Sequence, residues 1–410
     1  MSIKVGIVAQ TARTSTGTQD FTISGFGTPV AAIVRTYGNT SIGAFQDLLH
    51  GFCWAFYDGT NQYGTYGGLI AGGSSMPIGL HYTDPIKETG YGATGAASFN
   101  GWITDGVQLT YSAGFSAASY VEVTLIGGTD VQAFVGAFDR TTDNQAVTGV
   151  GFQPNVLFMA STTYASTVTT SGSTSGYRPQ FGIAARNTED NTIYQYGVCN
   201  YTTYINYNNS YVSKGNYSVH ATTALSYKNY ISSFDSDGFT DTRSYGASAY
   251  ACCFLALRFN NANIKLMDYD WGTSTGYHTC TCGFEAEWMW AYQSDCPAYD
   301  TLYNEASGYG ECDCFAQETN SPRTASVYIV DRTSDPSSLV EDYYANTYQQ
   351  LYNGYWNSST RGARGNWAGI AGPAHFTDTG FEGETTTAGQ AGKNFILFVG
   401  SAEGRKLLVD

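Results

Sequence analysis

Short runs of apolar and aromatic residues alternate with tight polar breaks along almost the whole chain, and the period is two rather than three to four. KVGIV from Lys4, YVEVTLI from Tyr120, ASVYIV from Ala325 and NFILFVG from Asn394 are rich in β-branched or aromatic residues and are bounded by Gly, Asn, Asp or Ser. Such runs predict β-strands. Asp105-Gly106 and Asp237-Gly238 each lie between two strand-like runs, the signature of a tight hairpin whose turn needs a positive φ; Thr379-Gly380 fills the same slot further on. Pro29 and Pro154 stand where a missing N–H is tolerated only at the start or edge of a strand.

Two stretches follow a helical period instead. SIGAFQDLLHGF from Ser41 places Phe45, Leu48 and Leu49 on one face and predicts a short helix. A stronger pattern has Asp335 as N-cap, Pro336 at the first helical position, an apolar and aromatic stripe from Leu339 to Tyr352, and Gly354 at the stop. It predicts a helix near 336–353, with its tyrosines packed on the sheet beneath.

The strand pattern is written three times. TQDFTISGFGTPVAAIVRT, NQAVTGVGFQPNVLFMAST and YHTCTCGFEAEWMWAYQS share a Gly-Phe pair, and Phe26, Phe152 and Phe284 recur at intervals of 126 and 132 residues. A second shared element follows each, and a third closes the unit, with SDGFTDTRSYG as its middle copy. The expected fold is all-β, with three tandem related β-sandwich domains at 1–139, 140–270 and 271–410 and a short helix inserted in the third. VQAFVGAF from Val131 and IKLMDYDW from Ile264 are strand-like joints between units. Joints this short imply a stiff rod or a compact cluster.

Composition narrows the function classes. Only 13% of the 410 residues are charged, whereas Tyr numbers 33 and Phe 22, which suits pleated and half-buried surfaces. A formal charge of −15 with 19 basic residues argues against nucleic acid, since phosphate neutralisation needs clustered cations. The opening MSIKVGIVAQ has no cationic stretch leading into a long apolar one, and no apolar run is long enough to span a bilayer.

Candidate chemistry is sparse. None of His50, His81, His220, His278 and His375 lies in a recognised nucleophile or metalloprotease context. The pairs Asp235/Asp237, Asp268/Asp270 and Glu285/Glu287 have the spacing to put two carboxylates on one face, as a glycosidase or calcium site requires, but they read more simply as turn and strand-edge residues. The expectation is therefore no catalytic residues, no cofactor and no resident metal. Nine cysteines follow no secreted disulfide framework. Cys280/Cys282 and Cys312/Cys314 form two Cys-x-Cys pairs, open to three readings: small buried thiols, a tetrahedral zinc site, or disulfides.

TGVGFQPNVLFMAST, FGIAAR, SFDSDGFT and FLALRF resemble the recurring units of tandem-repeat β-sandwich structural proteins of tailed bacteriophage virions. The resemblance is clearest over the second unit, weaker in the first and faint in the third. It implies a virion component assembled in the host cytoplasm and does not say which part of the virion carries it; rigid β modules, aromatic-polar loops and the lack of catalytic chemistry make the expectation a non-enzymatic, homo-oligomeric tail-associated part, a fibre or adsorption component. Its partners would be copies of itself and other virion proteins, without membrane insertion. The Tyr- and Asn-rich stretch YGVCNYTTYINYNNSYVSKGNYS from Tyr196 would then contact host surface glycans. The alternative is a capsid decoration protein, and the distant alternative a polysaccharide depolymerase.

Overall fold

A computed structural model describes residues 3–37, 51–68, 78–88, 94–116, 120–161, 169–171, 180–203, 207–221, 225–246, 250–269, 276–284, 286, 288–293, 299–300, 303–304, 317–318, 321–322, 326–331, 375–377, 379–385 and 394–402. Every regular element among them is a β-strand. The chain opens with β1 (Lys4–Thr11), β2 (Gly17–Thr22), β3 (Pro29–Tyr37), β4 (Gly51–Tyr57), β5 (Gln62–Gly68), β6 (Ile78–His81), β7 (Ile86–Lys87), β8 (Ala96–Ile103), β9 (Gly106–Ala113) and β10 (Tyr120–Gly127). It continues through β11 (Val131–Asp139), β12 (Asn144–Thr148), β13 (Val156–Ser161), β14 (Thr169–Ser171), β15 (Gln180–Arg186), β16 (Ile193–Thr203), β17 (Tyr207–Lys214), β18 (Ser218–Ala221), β19 (Leu225–Asp235), β20 (Gly238–Tyr245) and β21 (Ala251–Phe259). The last set is β22 (Ala262–Tyr269), β23 (Gly276–Thr281), β24 (Trp288–Gln293), β25 (Tyr303–Asn304), β26 (Gln317–Glu318), β27 (Ser321–Pro322), β28 (Ser326–Asp331), β29 (His375–Thr377), β30 (Gly380–Thr385) and β31 (Asn394–Ser401). Both stretches with a helical period, 41–52 and 336–353, lie wholly or almost wholly outside the described residues.

Among the described residues the strands form seven sheets: three larger ones, each with a smaller companion, and the two-stranded β26-β27. The large sheets run β1-β10-β3-β4-β5-β6-β14, β11-β21-β13-β15-β16-β17-β25 and β22-β31-β24-β28; the small ones run β2-β9-β8-β7, β12-β20-β19-β18 and β23-β30-β29. The same order recurs in all three pairs: the first strand of a set is an edge, and the last strand lies between it and the third. The two expected joints are the edge strands of the sheets that follow them. Val131–Asp139 pairs antiparallel with β21, and Ala262–Tyr269 with β31.

The hairpin signals act through one device used twice. Asp105, at φ 63, joins β8 to β9, and its carboxylate accepts the Gly25 N–H at 3.1 Å and the Gly27 N–H at 2.7 Å. Asp237, between β19 and β20, accepts the Gly149 N–H at 3.0 Å and the Gly151 N–H at 2.6 Å. Each aspartate thus ties its hairpin to the glycine loop that precedes β3 or β13. Those hydrogen bonds, the Gly27 and Gly151 ones foremost, hold both carboxyls below the usual range. In the third pair the Thr379 carbonyl takes the Cys282 and Gly283 N–H groups instead.

Inner strands of the large sheets, β13, β15 and β21 among them, are buried on both faces. In β13, Leu157 and Met159 point into the space shared with the second small sheet, while Val156, Phe158 and Ala160 point the other way. Ala32 and Val34 of β3 likewise join the interior of the first pair, whereas Ala31 and Ile33 face away from it. The outward residues do not meet water. They meet one another in a single core that also holds Trp54, Phe181, Trp290 and Leu397. Trp54 stacks on Phe181 with ring centroids 4.4 Å apart, and Trp290 lies 3.7 Å from Phe158.

The three large sheets close on each other in a cycle. β11 packs on β3, β4 and β5, β22 on β15 and β16, and β1 on β28. Short polar contacts pin two of these seams: Asp58 accepts the Val135 N–H at 2.7 Å, and the Asn187 side chain takes the Leu266 N–H at 2.7 Å while donating to its carbonyl at 3.2 Å. Strands also cross between sets, β14 pairing with β6 and β25 with β17.

Candidate functional site

The densest group of polar side chains sits between the two sheets of the second pair. Arg140 and Asp241 are each 1% exposed, with Nε 3.4 Å from Oδ2. Asp241 also receives the Tyr217 hydroxyl at 2.6 Å and the Asn229 amide at 2.8 Å, while Arg140 donates to Tyr217 and to the Ser218 hydroxyl at 3.1 Å. From Ser218 the network runs on to Gln180, whose Oε1 accepts Ser218 at 2.9 Å, Tyr227 at 2.7 Å and Ser161 at 3.1 Å.

A cation, a carboxylate and two phenols are the residue types of a proton-transfer site. Their surroundings are those of a core. Burial pushes the Tyr217 hydroxyl well up and that of Tyr227 to about 12. Burial by itself disfavours the charged form of Arg140, and the Asp241 carboxylate beside it favours that form, so the guanidinium stays charged. Held away from solvent and hydrogen-bonded to one another, these groups fix the seating of the small sheet on the large one.

The first pair has a simpler arrangement in another place. Arg35 of β3 and Glu122 of β10 are directly opposite in register and form an ion pair, each 1% exposed. Arg35 also lies over the Trp54 ring, 5.3 Å from its centroid, so this pair is on the face turned to the shared core.

The residues singled out in the sequence are scattered. His81 is buried beside Tyr66, and burial lowers its pKa, which keeps it neutral. His220, His278 and His375 lie on β18, β23 and β29, and His50 is outside the described residues. Asp235 accepts the Ser233 and Thr240 hydroxyls, both at 2.8 Å, within its own hairpin. Asp237 is the turn clamp already described. Asp268 is bonded to Tyr196 at 3.1 Å and Lys214 at 2.9 Å; Asp270, Glu285 and Glu287 lie outside the described residues.

Cys280 and Cys282 are buried free thiols in the shared core, both with pKa raised by burial, and Cys282 Sγ donates to the Phe284 carbonyl at 3.0 Å. Cys312 and Cys314 lie outside the described residues. Among the described residues no group of His, Cys, Asp and Glu has the arrangement of a metal site.

Three tyrosines of the stretch expected to meet glycans are interior. Tyr196 stacks on Phe395 at 5.0 Å, Tyr211 bonds Asp300 at 3.2 Å, and Tyr217 belongs to the buried network. Tyr196 thus joins the second large sheet to β31 through Phe395 and to β22 through Asp268.

A groove of about 370 Å³ opens where the β15–β16 turn, the β21–β22 turn and the loop before β13 converge. Arg186 and Arg258 line it among Asn and Gln side chains. The sequence reading missed both arginines and the Arg140 network. Their only signal was a polar residue inside or at the end of an otherwise apolar run, such as Arg186 after FGIAA and Arg258 within FLALRF.

Fold and polar centres together define an all-β protein whose paired sheets are locked from the inside. No protein-family model matches the chain, and no curated protein matches it in sequence.

Proposed function

We propose that this chain is a non-enzymatic structural protein of a tailed bacteriophage virion, mounted on the tail as part of the fibre or adsorption apparatus. The observation that carries the reading is the single core shared by three large sheets. A part that must hold geometry under load gains from having no hinge between its modules, and a core common to three sheets removes the hinge. The buried polar centres support the same reading, since their hydrogen bonds and ion pairs stiffen the sheet pairs and they are sealed from any substrate. The sequence resemblance to repeated virion modules points to a virion as the setting of such a part. Exposed sheet edges then join copies of the chain to one another, in the symmetry of their mount.

Immunogold labelling of intact particles tests it. Label at the tail is the expected result. Label spread over the head would replace this reading with capsid decoration, and degradation of host polysaccharide by the purified chain would replace it with an enzyme.

A further inference from the structure

The groove beside the β21–β22 turn gathers positive charge in an acidic chain. The chain carries a formal charge of −15, yet two guanidiniums, Arg186 and Arg258, line this one concavity. Neither forms an ion pair with a described residue. Both are held in place all the same. Arg186 donates to the Phe234 carbonyl at 3.3 Å and lies over the Phe234 ring at 5.4 Å; Arg258 Nε donates to Asn260 Oδ1 at 3.0 Å. Each keeps further N–H groups for a ligand, in the planar fork that matches a carboxylate.

The acids of the adjoining turns make their own contacts rather than ion pairs with these arginines. Glu189 is paired with Lys265 at 2.8 Å, and Asp190 is occupied by the Thr192 N–H at 3.0 Å and the Tyr194 hydroxyl at 2.8 Å. The rest of the wall is rich in amides. Asn191 and Asn261 stand on the two turns at φ 57 and φ 52, a left-handed backbone that Asn tolerates better than most residues, and both are exposed. Gln153 and Asn260 each spend one end on the protein and keep the other. Amides offer the donor and acceptor pairs that sugar hydroxyls require, and the volume lies in the range of small-ligand sites.

We propose that this groove binds an acidic saccharide, with the carboxylate of a uronic-acid unit between Arg186 and Arg258 and its hydroxyls on the Asn and Gln side chains. The inference rests on the adsorption reading above and names the ligand class. It moves the host-contact surface from the Tyr-rich stretch to the turns between the second and third large sheets.

Calorimetric titration of the full chain with glucuronate tests it, with glucose and inorganic phosphate as comparison ligands. Glucuronate should bind, glucose about tenfold more weakly or worse, and phosphate, which fits the arginine fork but brings no ring hydroxyls to the amides, should compete more weakly at equal concentration. Arg258→Gln should weaken glucuronate by about tenfold without lowering the unfolding temperature, because Arg258 bonds only its own turn. Arg186→Gln should do the same to binding, with its melt reporting any loss of the Phe234 contact. No glucuronate binding by the folded chain, equal binding of glucose, equal competition by phosphate, or undiminished binding by Arg258→Gln would each overturn the inference. Tail label without glucuronate binding sinks the ligand alone, and glucuronate binding with head label sinks the tail assignment alone.

Discussion

The first and second sheet pairs share strand order and the aspartate clamp on the glycine loop, but they bury their charges in opposite places. In the first, Arg35 and Glu122 face the core common to all three large sheets, next to Trp54. In the second, Arg140 and Asp241 lie between the pair's own two sheets, inside a network that reaches Tyr217, Asn229, Ser218 and Gln180. The second pair's charges are thus held by hydrogen-bonding neighbours on several strands, and the first pair's lie against the Trp54 ring in the shared core. Repeats of one plan keep their turn chemistry, which is local. They are free to differ in buried polar groups, which answer to whatever packs on them.

This difference is tested most sharply by truncating one charge at a time. Arg35→Met should cost about 3–5 kcal/mol, because Glu122 is left charged in the shared core. Urea unfolding measures it, and the double variant Arg35→Met with Glu122→Leu should recover most of the loss. Arg140→Met should cost less, about 2–3 kcal/mol, since Asp241 keeps the Tyr217 hydroxyl and the Asn229 amide. Equal losses in the two variants would erase the contrast.

The shared device should behave alike in both pairs. A Cβ at Gly106 meets the Phe21 carbonyl, and one at Gly238 meets the Val147 carbonyl, backbone atoms in each case. Gly106→Ala and Gly238→Ala should therefore each cost about 1–3 kcal/mol in the same unfolding experiment. A cost at one position only would mean that the clamps are not equivalent.

The smallest effect concerns pH. Asp105 and Asp237 have carboxyl pKa values lowered in the folded chain, chiefly by the Gly27 and Gly151 N–H groups. Their contribution is complete above the unfolded carboxylate pKa near 3.8 and fades as pH falls through the lower folded value. Unfolding midpoints compared at pH 5 and pH 3 should show a smaller acid-induced drop in Asp105→Asn with Asp237→Asn than in the parent chain.

Much of the fold was legible because its signals are local. KVGIV, YVEVTLI, ASVYIV and NFILFVG lie within or across β1, β10, β28 and β31, and Asp105-Gly106 and Asp237-Gly238 are hairpin turns. Strands such as VLFMAS and ACCFLALRF carried a further signal in having no polar alternation, which is what burial on both faces requires. The reading as sandwiches in tandem gave each strand one buried face and left the other unaccounted for. The charged centres were less legible still, since Arg35 meets Glu122 and Arg140 meets Asp241 across long stretches of chain with no periodic pattern to announce them.

By itself, then, the sequence determined the β class, the threefold recurrence and the turns, because period-two patterning and positive-φ turn residues act over a few positions. Only the tertiary structure decided that three large sheets share one core, that β1 comes back to pack on β28, and that two arginines from separate strands line one groove. Those outcomes depend on which faces remain apolar once each sheet has covered its partner. That surplus is buried by whichever surface the chain can bring to it, and no local pattern names that surface.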